Sequence, residues 1–141
     1  MKPALFYRIA SVLLLLFAAL HTFGFRQVDP TWAVDSLVGS MQSTHFDIVG
    51  SSRTYWDFFV GFGLFFSIFL AFTATLTWQL GGLEDSALGL MRGTAWALVI
   101  CFSAITIVAL RYAFLFPIIF SIVILLCLTA AAWLSTKTAR R

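Results

Sequence analysis

Charge is what this sequence has least of. Only 11% of its 141 residues are charged, 61% are hydrophobic and the mean hydropathy is +0.98. Soluble domains carry roughly 25% charged residues, so a water-soluble fold could not hide this much apolar surface. The net charge of +3 is small and its basic residues are scattered, which argues against a nucleic-acid-binding protein.

Cysteine and histidine are also scarce. Cys101 and Cys127 both lie in apolar runs, which excludes a C-x-x-C redox pair and a disulfide in an exposed loop. The two histidines, His21 and His45, show no metal-ligand or haem-attachment spacing, so we predict no metal and no cofactor, and a metal or haem site is the least favoured alternative. Without a linker, repeat or low-complexity run, residues 1–141 are predicted to form a single membrane domain.

Long apolar runs are present instead. Four segments reach the roughly 20 residues that a bilayer requires, with predicted spans at about 4–22, 55–78, 93–111 and 115–135. The last two come from one run that is too long for a single span, and Pro117 suits the first turn of the fourth helix. The sequence therefore predicts an all-α integral membrane protein, a four-transmembrane-helix bundle with a long first outer loop at about 23–54.

Lysine and arginine predict the orientation. With both termini cytoplasmic, more basic residues lie inside than outside, as the positive-inside rule requires. The inner set is Lys2, Arg8, Arg92, Lys137, Arg140 and Arg141, and the outer set is Arg26, Arg53 and Arg111. A cleaved signal peptide is the alternative for the first segment, because Lys2, the apolar run and Ala18-Ala19 resemble its layout.

The outer loop is long enough to be functional. Asp29 and Pro30 form a plausible helix start, and apolar residues follow at helical spacing, namely Val34, Leu37, Val38 and Met41. This pattern predicts a short amphipathic helix on the outer surface. The alternating stretch 45–49 and the following Gly50 predict an extended segment or a short hairpin that closes a lid.

Small residues recur every fourth position on the second and third predicted helices. The two stripes are Gly63, Ser67, Ala71 and Thr75, and Gly89, Gly93, Ala97 and Cys101. Such stripes allow close contact between helix backbones inside lipid, so we predict that these helices pack against each other. A homo-oligomer interface is the weaker alternative.

Most ionisable residues near the membrane fall at the outer end of the predicted spans. With neighbouring aromatic residues, the candidate ligand-binding set is His21, Arg26, His45, Asp47, Arg53, Tyr55, Trp56, Asp57, Arg111 and Tyr112. If these side chains converge, they would form a polar roof over an apolar cavity, which suits an amphipathic ligand with a phosphate or carboxylate headgroup. Each charge alone also has an anchoring explanation, because charges at helix ends are common.

Three functions remain open. The favoured one is binding of a lipid-like molecule or docking of a membrane protein partner, with membrane lipids as constant partners. The alternative is an enzyme acting on a lipid-like substrate, with His21 or His45 as acid-base group and Asp47 or Asp57 orienting it. An oligomeric channel or transporter subunit is a further alternative, although the middles of the spans offer only hydroxyl side chains.

A resemblance adds the expected location. The run Arg53–Gly63, with His45-Phe46-Asp47 before it and Arg92–Ala97 after it, resembles a group of small four-span membrane proteins of bacteria. The resemblance covers most of the chain and implies the bacterial cytoplasmic (inner) membrane. It implies no activity.

Overall fold

A computed structural model describes residues 2–138, which are mostly helical. In chain order the elements are α1 (Pro3–Gly24), α2 (Asp35–Ser43), β1 (His45–Ile48), β2 (Ser51–Thr54), α3 (Tyr55–Leu80), α4 (Asp85–Leu90), α5 (Arg92–Tyr112) and α6 (Leu115–Thr138). Four of these helices, α1, α3, α5 and α6, are long and apolar enough to cross a membrane. The chain is thus consistent with a multi-pass, all-α membrane protein.

The four long helices lie where the four spans were predicted. The third is preceded by the separate short helix α4, which the sequence analysis did not distinguish from it. The two helices meet at Met91, whose backbone (φ −84°, ψ 12°) departs from helical values and whose N–H bonds to both Ala87 O and Gly89 O. Gly89, which the sequence predicted to lie on the same helix as Gly93, therefore lies on α4 instead.

The segment between α1 and α3 begins with a capped turn. Asp29 Oδ1 accepts hydrogen bonds from Thr31 N (2.8 Å) and Thr31 Oγ1 (2.7 Å), and these bonds hold the pKa of Asp29 below its ordinary value. The cap starts only a 3-10 turn, Pro30–Trp32, because Ala33 adopts a left-handed conformation with φ 51°. The helix that the sequence predicted from Asp29 onward is therefore interrupted, and α2 begins at Asp35.

An antiparallel hairpin follows α2. Strand β1 pairs with β2 in a register that places His45 opposite Thr54 and Ile48 opposite Ser51. The two residues between the strands, Val49 and Gly50, have φ values of 48° and 78°, which is the pattern of a type I′ turn. Strand β2 leads directly into α3, so the hairpin is joined to this helix without a linker.

The contacts divide the chain into two compact units. The first consists of the residues up to Phe17 together with those from Leu70 onward, and the second is Ala18–Phe69. The boundaries fall inside α1 and inside α3.

The core of the first unit is apolar with a few buried hydroxyl groups. Its fully buried large side chains include Tyr7, Leu14, Leu70, Phe102, Ile124 and Leu128, and α5 and α6 are its most closely paired helices. Ser11 Oγ donates to Ala74 O (2.7 Å), which links α1 to α3, while Tyr7 Oη lies 3.5 Å from Ser135 Oγ on α6. Hydrogen bonds of this kind join helices where the hydrophobic effect supplies little driving force.

The predicted packing stripes have different surroundings. Gly63 and Ser67 contact the end of α1, as described below. In the first unit Ala71 is half-buried, Thr75 is exposed with its hydroxyl bonded to Ala71 O, and on α5 Gly93 and Ala97 are exposed and Cys101 is half-buried. Gly89 is half-buried in α4. Pairing of the two stripes, within this chain or between copies, stays a prediction.

Candidate binding site around His21

The second unit holds His21 in a fixed position near the end of α1. Its Nδ1 lies 3.0 Å from Ser67 Oγ on α3, and Ser67 Oγ donates to Gly63 O at 3.2 Å. Because the hydroxyl has one proton and gives it to Gly63, the Nδ1–H of the ring donates to Ser67. The ring itself is half-buried.

Aromatic rings enclose this histidine. Phe25 stacks on His21 with centroids 5.1 Å apart and planes 13° apart, and Phe66 meets it edge-on at 5.0 Å. The layer continues outward, since Phe25 lies 5.8 Å from Phe59, which lies 5.4 Å from Trp56. The polar imidazole is therefore embedded in an aromatic layer formed by α1 and α3.

Arg26 brings a permanent positive charge to the same layer. The central carbon of its guanidinium group lies 5.5 Å from the centroid of the Phe25 ring, within the range of a cation–π contact. His21 and Arg26 thus both contact the Phe25 ring. We name His21, Phe25, Arg26, Phe66 and Ser67 the His21 site.

Gly63 makes room for the ring that joins these groups. A Cβ atom built at Gly63 would collide with the Phe25 ring, whereas a Cβ at Gly61, two residues earlier on α3, would meet nothing within 4 Å. Packing therefore requires a glycine at position 63 but not at position 61 of the same helix. The absence of a side chain at Gly63 is what lets Phe25 reach His21.

A second aromatic group attaches the hairpin to α3. Phe46 on β1 lies 4.9 Å from Tyr55 and 6.0 Å from Phe58, measured between ring centroids. On the same strand His45 and Asp47 are exposed, and alternation along a strand directs them to the face opposite Phe46. The hairpin is thus fixed to the start of α3 by one side chain, while its two ionisable residues face away from that contact.

Asp57 and Thr54 cap α3 reciprocally. Thr54 N donates to Asp57 Oδ2 (2.9 Å) and Asp57 N donates to Thr54 Oγ1 (3.1 Å), the arrangement of a capping box. The neighbouring Arg53 donates from Nη1 to Ser52 O at 2.8 Å and is otherwise exposed. Asp57 therefore has a structural task that accounts for its position at the helix start.

Arg111 and Tyr112 belong to the first unit. Both are exposed at the end of α5, and the Arg111 guanidinium carbon lies 5.1 Å from the Tyr112 ring centroid. Of the predicted set, the structure brings together His21 with Arg26 through Phe25, and Tyr55 with the hairpin through Phe46. It also places Arg53 and His45 within electrostatic range of Asp57. Convergence of the whole set stays a prediction.

Several contributors to these contacts were missed as binding-site residues in the sequence. Phe25, Phe46, Phe58, Phe59 and Phe66 are five of sixteen phenylalanines, and nothing in their spacing distinguished them. Ser67 was assigned to helix packing. A usable signal did exist in Gly63-x-x-x-Ser67, because a glycine one turn before a serine leaves space beside a hydroxyl group on the same helix face.

Within residues 2–138, the described His, Cys, Asp and Glu side chains form no group of three or more that could hold a metal ion. No family model, curated protein or solved structure matches this chain.

Proposed function

We propose that this is a small membrane protein that binds an amphipathic molecule at the His21 site, on the extracytoplasmic side of a bacterial inner membrane. The anionic headgroup of this molecule, a phosphate or carboxylate, is bound by Arg26, and its apolar part lies against the aromatic layer that encloses His21. The observation that carries the proposal is the shared Phe25 ring, which contacts both polar side chains.

The charges of the second unit support this assignment. Arg26 is exposed and keeps its charge at every physiological pH, and its planar group suits bidentate binding of phosphate or carboxylate. Two of the nearby carboxylates already accept hydrogen bonds from other groups, Asp29 from Thr31 and Asp57 from Thr54. These acidic groups are engaged in capping their own helical turns.

The loop before α3 fits a surface role. On α2 the half-buried residues are Val38 and Met41, with Val34 just before the helix, whereas Asp35 and Ser36 are exposed. This division supports the amphipathic outer helix expected from the sequence. The hairpin, fixed to α3 through Phe46, would lie at the same membrane surface and offer His45, Asp47 and Arg53 to a docking partner.

An enzyme acting on a lipid-like substrate is the second candidate. The bond from His21 to Ser67 favours it, because an acid-base histidine needs its ring held in a defined orientation. Asp57 is a poor orienting group for this histidine, since the capping box already uses its carboxylate.

The test compares Gly63→Ala with Gly61→Ala. The purified protein is titrated with phosphatidylglycerol and, separately, with palmitate, and bound molecules are counted by native mass spectrometry. We expect Gly63→Ala and Arg26→Gln to weaken binding roughly tenfold, the loss of about one charge-assisted hydrogen bond. Gly61→Ala should bind as the wild type does.

The two probes distinguish the headgroup. A preference for phosphatidylglycerol assigns the site to phosphate, and a preference for palmitate assigns it to carboxylate. Equal binding of either probe by the Gly63→Ala and Gly61→Ala variants would show that the Phe25 contact is irrelevant, and the proposal would then be wrong.

A further inference from the structure

The first unit contains an arginine, Arg8, whose guanidinium group contacts a tryptophan ring and lies beside two glycines. Arg8 lies on α1, is half-buried, and its guanidinium carbon is 3.7 Å from the centroid of the Trp78 ring. This distance is that of a close cation–π stacking contact with the indole, which is itself half exposed. Such stacking fixes the plane of the N–H donors without using any of them as hydrogen bonds.

Two glycines form the other wall of this arrangement. A Cβ at Gly81 would lie 3.3 Å from Arg8 Nε and 3.1 Å from Tyr7 Cβ, and a Cβ at Gly82 would lie 3.3 Å from Arg8 Nη2. Neither glycine has a positive φ; among the described glycines, only Gly50 has one. Space for Arg8, rather than an unusual backbone angle, is therefore what these positions require.

Capping of α3 does not explain the arginine. Three of the last four carbonyl groups of this helix already accept backbone N–H groups, namely Thr77 O from Gly81, Gln79 O from Gly82 and Leu80 O from Leu83. A lysine or arginine near a helix end often serves these carbonyls, but here the chain does so itself. Among the residues that the structure describes, none accepts a hydrogen bond from the Arg8 guanidinium, so its donors can serve another acceptor.

The length of α3 places this arginine at headgroup level. The helix has 26 residues, about 39 Å at 1.5 Å per residue, which exceeds a hydrocarbon core of roughly 30 Å. Trp78 is near its end, where indole rings commonly lie at the membrane interface. A charge at this depth meets phosphate groups rather than acyl chains.

We propose that Arg8, stacked on Trp78 beside Gly81 and Gly82, binds the phosphate of a membrane phospholipid. The indole contacts the face of the guanidinium group, and the two glycines place no side chain beside Nε and Nη2, which leaves space for N–H groups to donate to phosphate oxygens. This site is separate from the His21 site, and the proposal does not depend on the function proposed there.

The experiment measures phosphatidylglycerol bound to the purified, detergent-solubilised protein by native mass spectrometry. Arg8→Lys keeps the charge but loses the planar stack, and Gly82→Ala keeps Arg8 but crowds Nη2. We expect each to weaken binding by roughly tenfold, equivalent to loss of about one charge-assisted bond. Arg92→Lys, at an exposed position at the start of α5, is the matched control and should change nothing.

Two further comparisons make the result specific. All variants are repeated in an Arg26→Gln background, so that loss at the His21 site cannot produce the difference. Monogalactosyldiacylglycerol, which has no phosphate, should bind weakly and without regard to Arg8. Circular dichroism and melting temperature verify that each variant is folded, and Trp78→Leu, which removes the aromatic face, substitutes for Arg8→Lys if the latter is not folded.

Three outcomes would overturn the proposal. One is wild-type phosphatidylglycerol binding by both Gly82→Ala and the folded stacking variant. Another is binding of the galactolipid that depends on Arg8 as strongly as that of the phospholipid. The third is binding of inorganic phosphate as tight as that of the lipid, which would assign the site to free phosphate.

Discussion

Among single residues, Thr54 has the most clearly defined contribution to stability, because its side chain caps α3. Its side chain is buried and accepts a hydrogen bond from Asp57 N at the start of α3. Removing an N-cap hydroxyl costs about 1 kcal/mol. We therefore expect Thr54→Ala to lower the free energy of unfolding by about this amount, measured by circular dichroism during titration of mixed micelles with sodium dodecyl sulfate.

Thr54→Ser is the control for this prediction. Serine keeps the hydroxyl and loses only a methyl group, so it should retain most of the stability. If Thr54→Ala and Thr54→Ser are equally destabilised, burial of the methyl group and not the cap is responsible.

Residue roles differ in how far the sequence could predict them. Thr54-x-x-Asp57 is a local pattern that resembles a capping box, so the structural task of Asp57 could be read from the sequence alone. The bond from His21 to Ser67 joins residues 46 positions apart, and no local pattern encodes such a pairing. This is why the histidine was identified as a candidate while its partner was assigned to packing.

At the scale of elements, the hairpin contains an unfavourable residue at its turn. Val49 adopts φ 48° and is fully exposed, although a β-branched residue in the left-handed region is a genuine outlier. Asparagine suits this first position of a type I′ turn. We expect Val49→Asn to stabilise the hairpin by about 1 kcal/mol, measured as slower amide hydrogen exchange in β1 and β2.

Gly50→Ala provides the opposite change. Gly50 has φ 78° and open space around it, so an added methyl group would strain the backbone without a steric clash. Faster exchange in Gly50→Ala and slower exchange in Val49→Asn are the expected pair. Unchanged exchange in both would mean that contacts with α3, and not the turn, determine hairpin stability.

A buried hydrogen bond from Ser11 links α1 to α3. Ser11 is buried, and its hydroxyl donates to Ala74 O on the other helix. Interhelical hydrogen bonds in membranes contribute about 0.6 kcal/mol on average. We expect Ser11→Ala to destabilise the protein by about that amount in a detergent-unfolding titration.

Ser103→Ala is the matched comparison. Ser103 donates to Val99 O within its own helix, so its removal breaks no link between helices and should have a smaller effect. A larger loss for Ser103→Ala than for Ser11→Ala would contradict the assignment of Ser11 as an interhelical bond.

The sequence predicts a helix or strand well where the length of an apolar run determines the structure. The four long helices follow from apolar runs near 20 residues, because only such lengths cross a bilayer as helices. The break at Ala33 was not predictable in this way, since its left-handed conformation belongs to an alanine with no intrinsic preference for it. Likewise, nothing in the local pattern at Met91 marks the division between α4 and α5.

At the scale of the whole molecule, orientation connects the two proposed sites. The positive-inside rule counts Arg8 with the cytoplasmic residues and Arg26 and Arg53 with the extracytoplasmic ones. The phosphate site at Arg8 would then face the inner leaflet and the His21 site the outer one. Orientation thus determines which lipids each site can meet.

We expect both termini to be cytoplasmic. A carboxy-terminal green fluorescent protein fusion should fluoresce, because this reporter becomes fluorescent in the cytoplasm. A carboxy-terminal alkaline phosphatase fusion should be inactive, because this enzyme becomes active only outside the cytoplasm. A cysteine placed at Gly50, which has open space around it, should react with a membrane-impermeant maleimide in intact cells, in a background where Cys101 and Cys127 are replaced by serine. Labelling of this cysteine only after lysis, together with an active phosphatase fusion, would contradict this prediction. The orientation would then be the opposite one, with the His21 site on the cytoplasmic side.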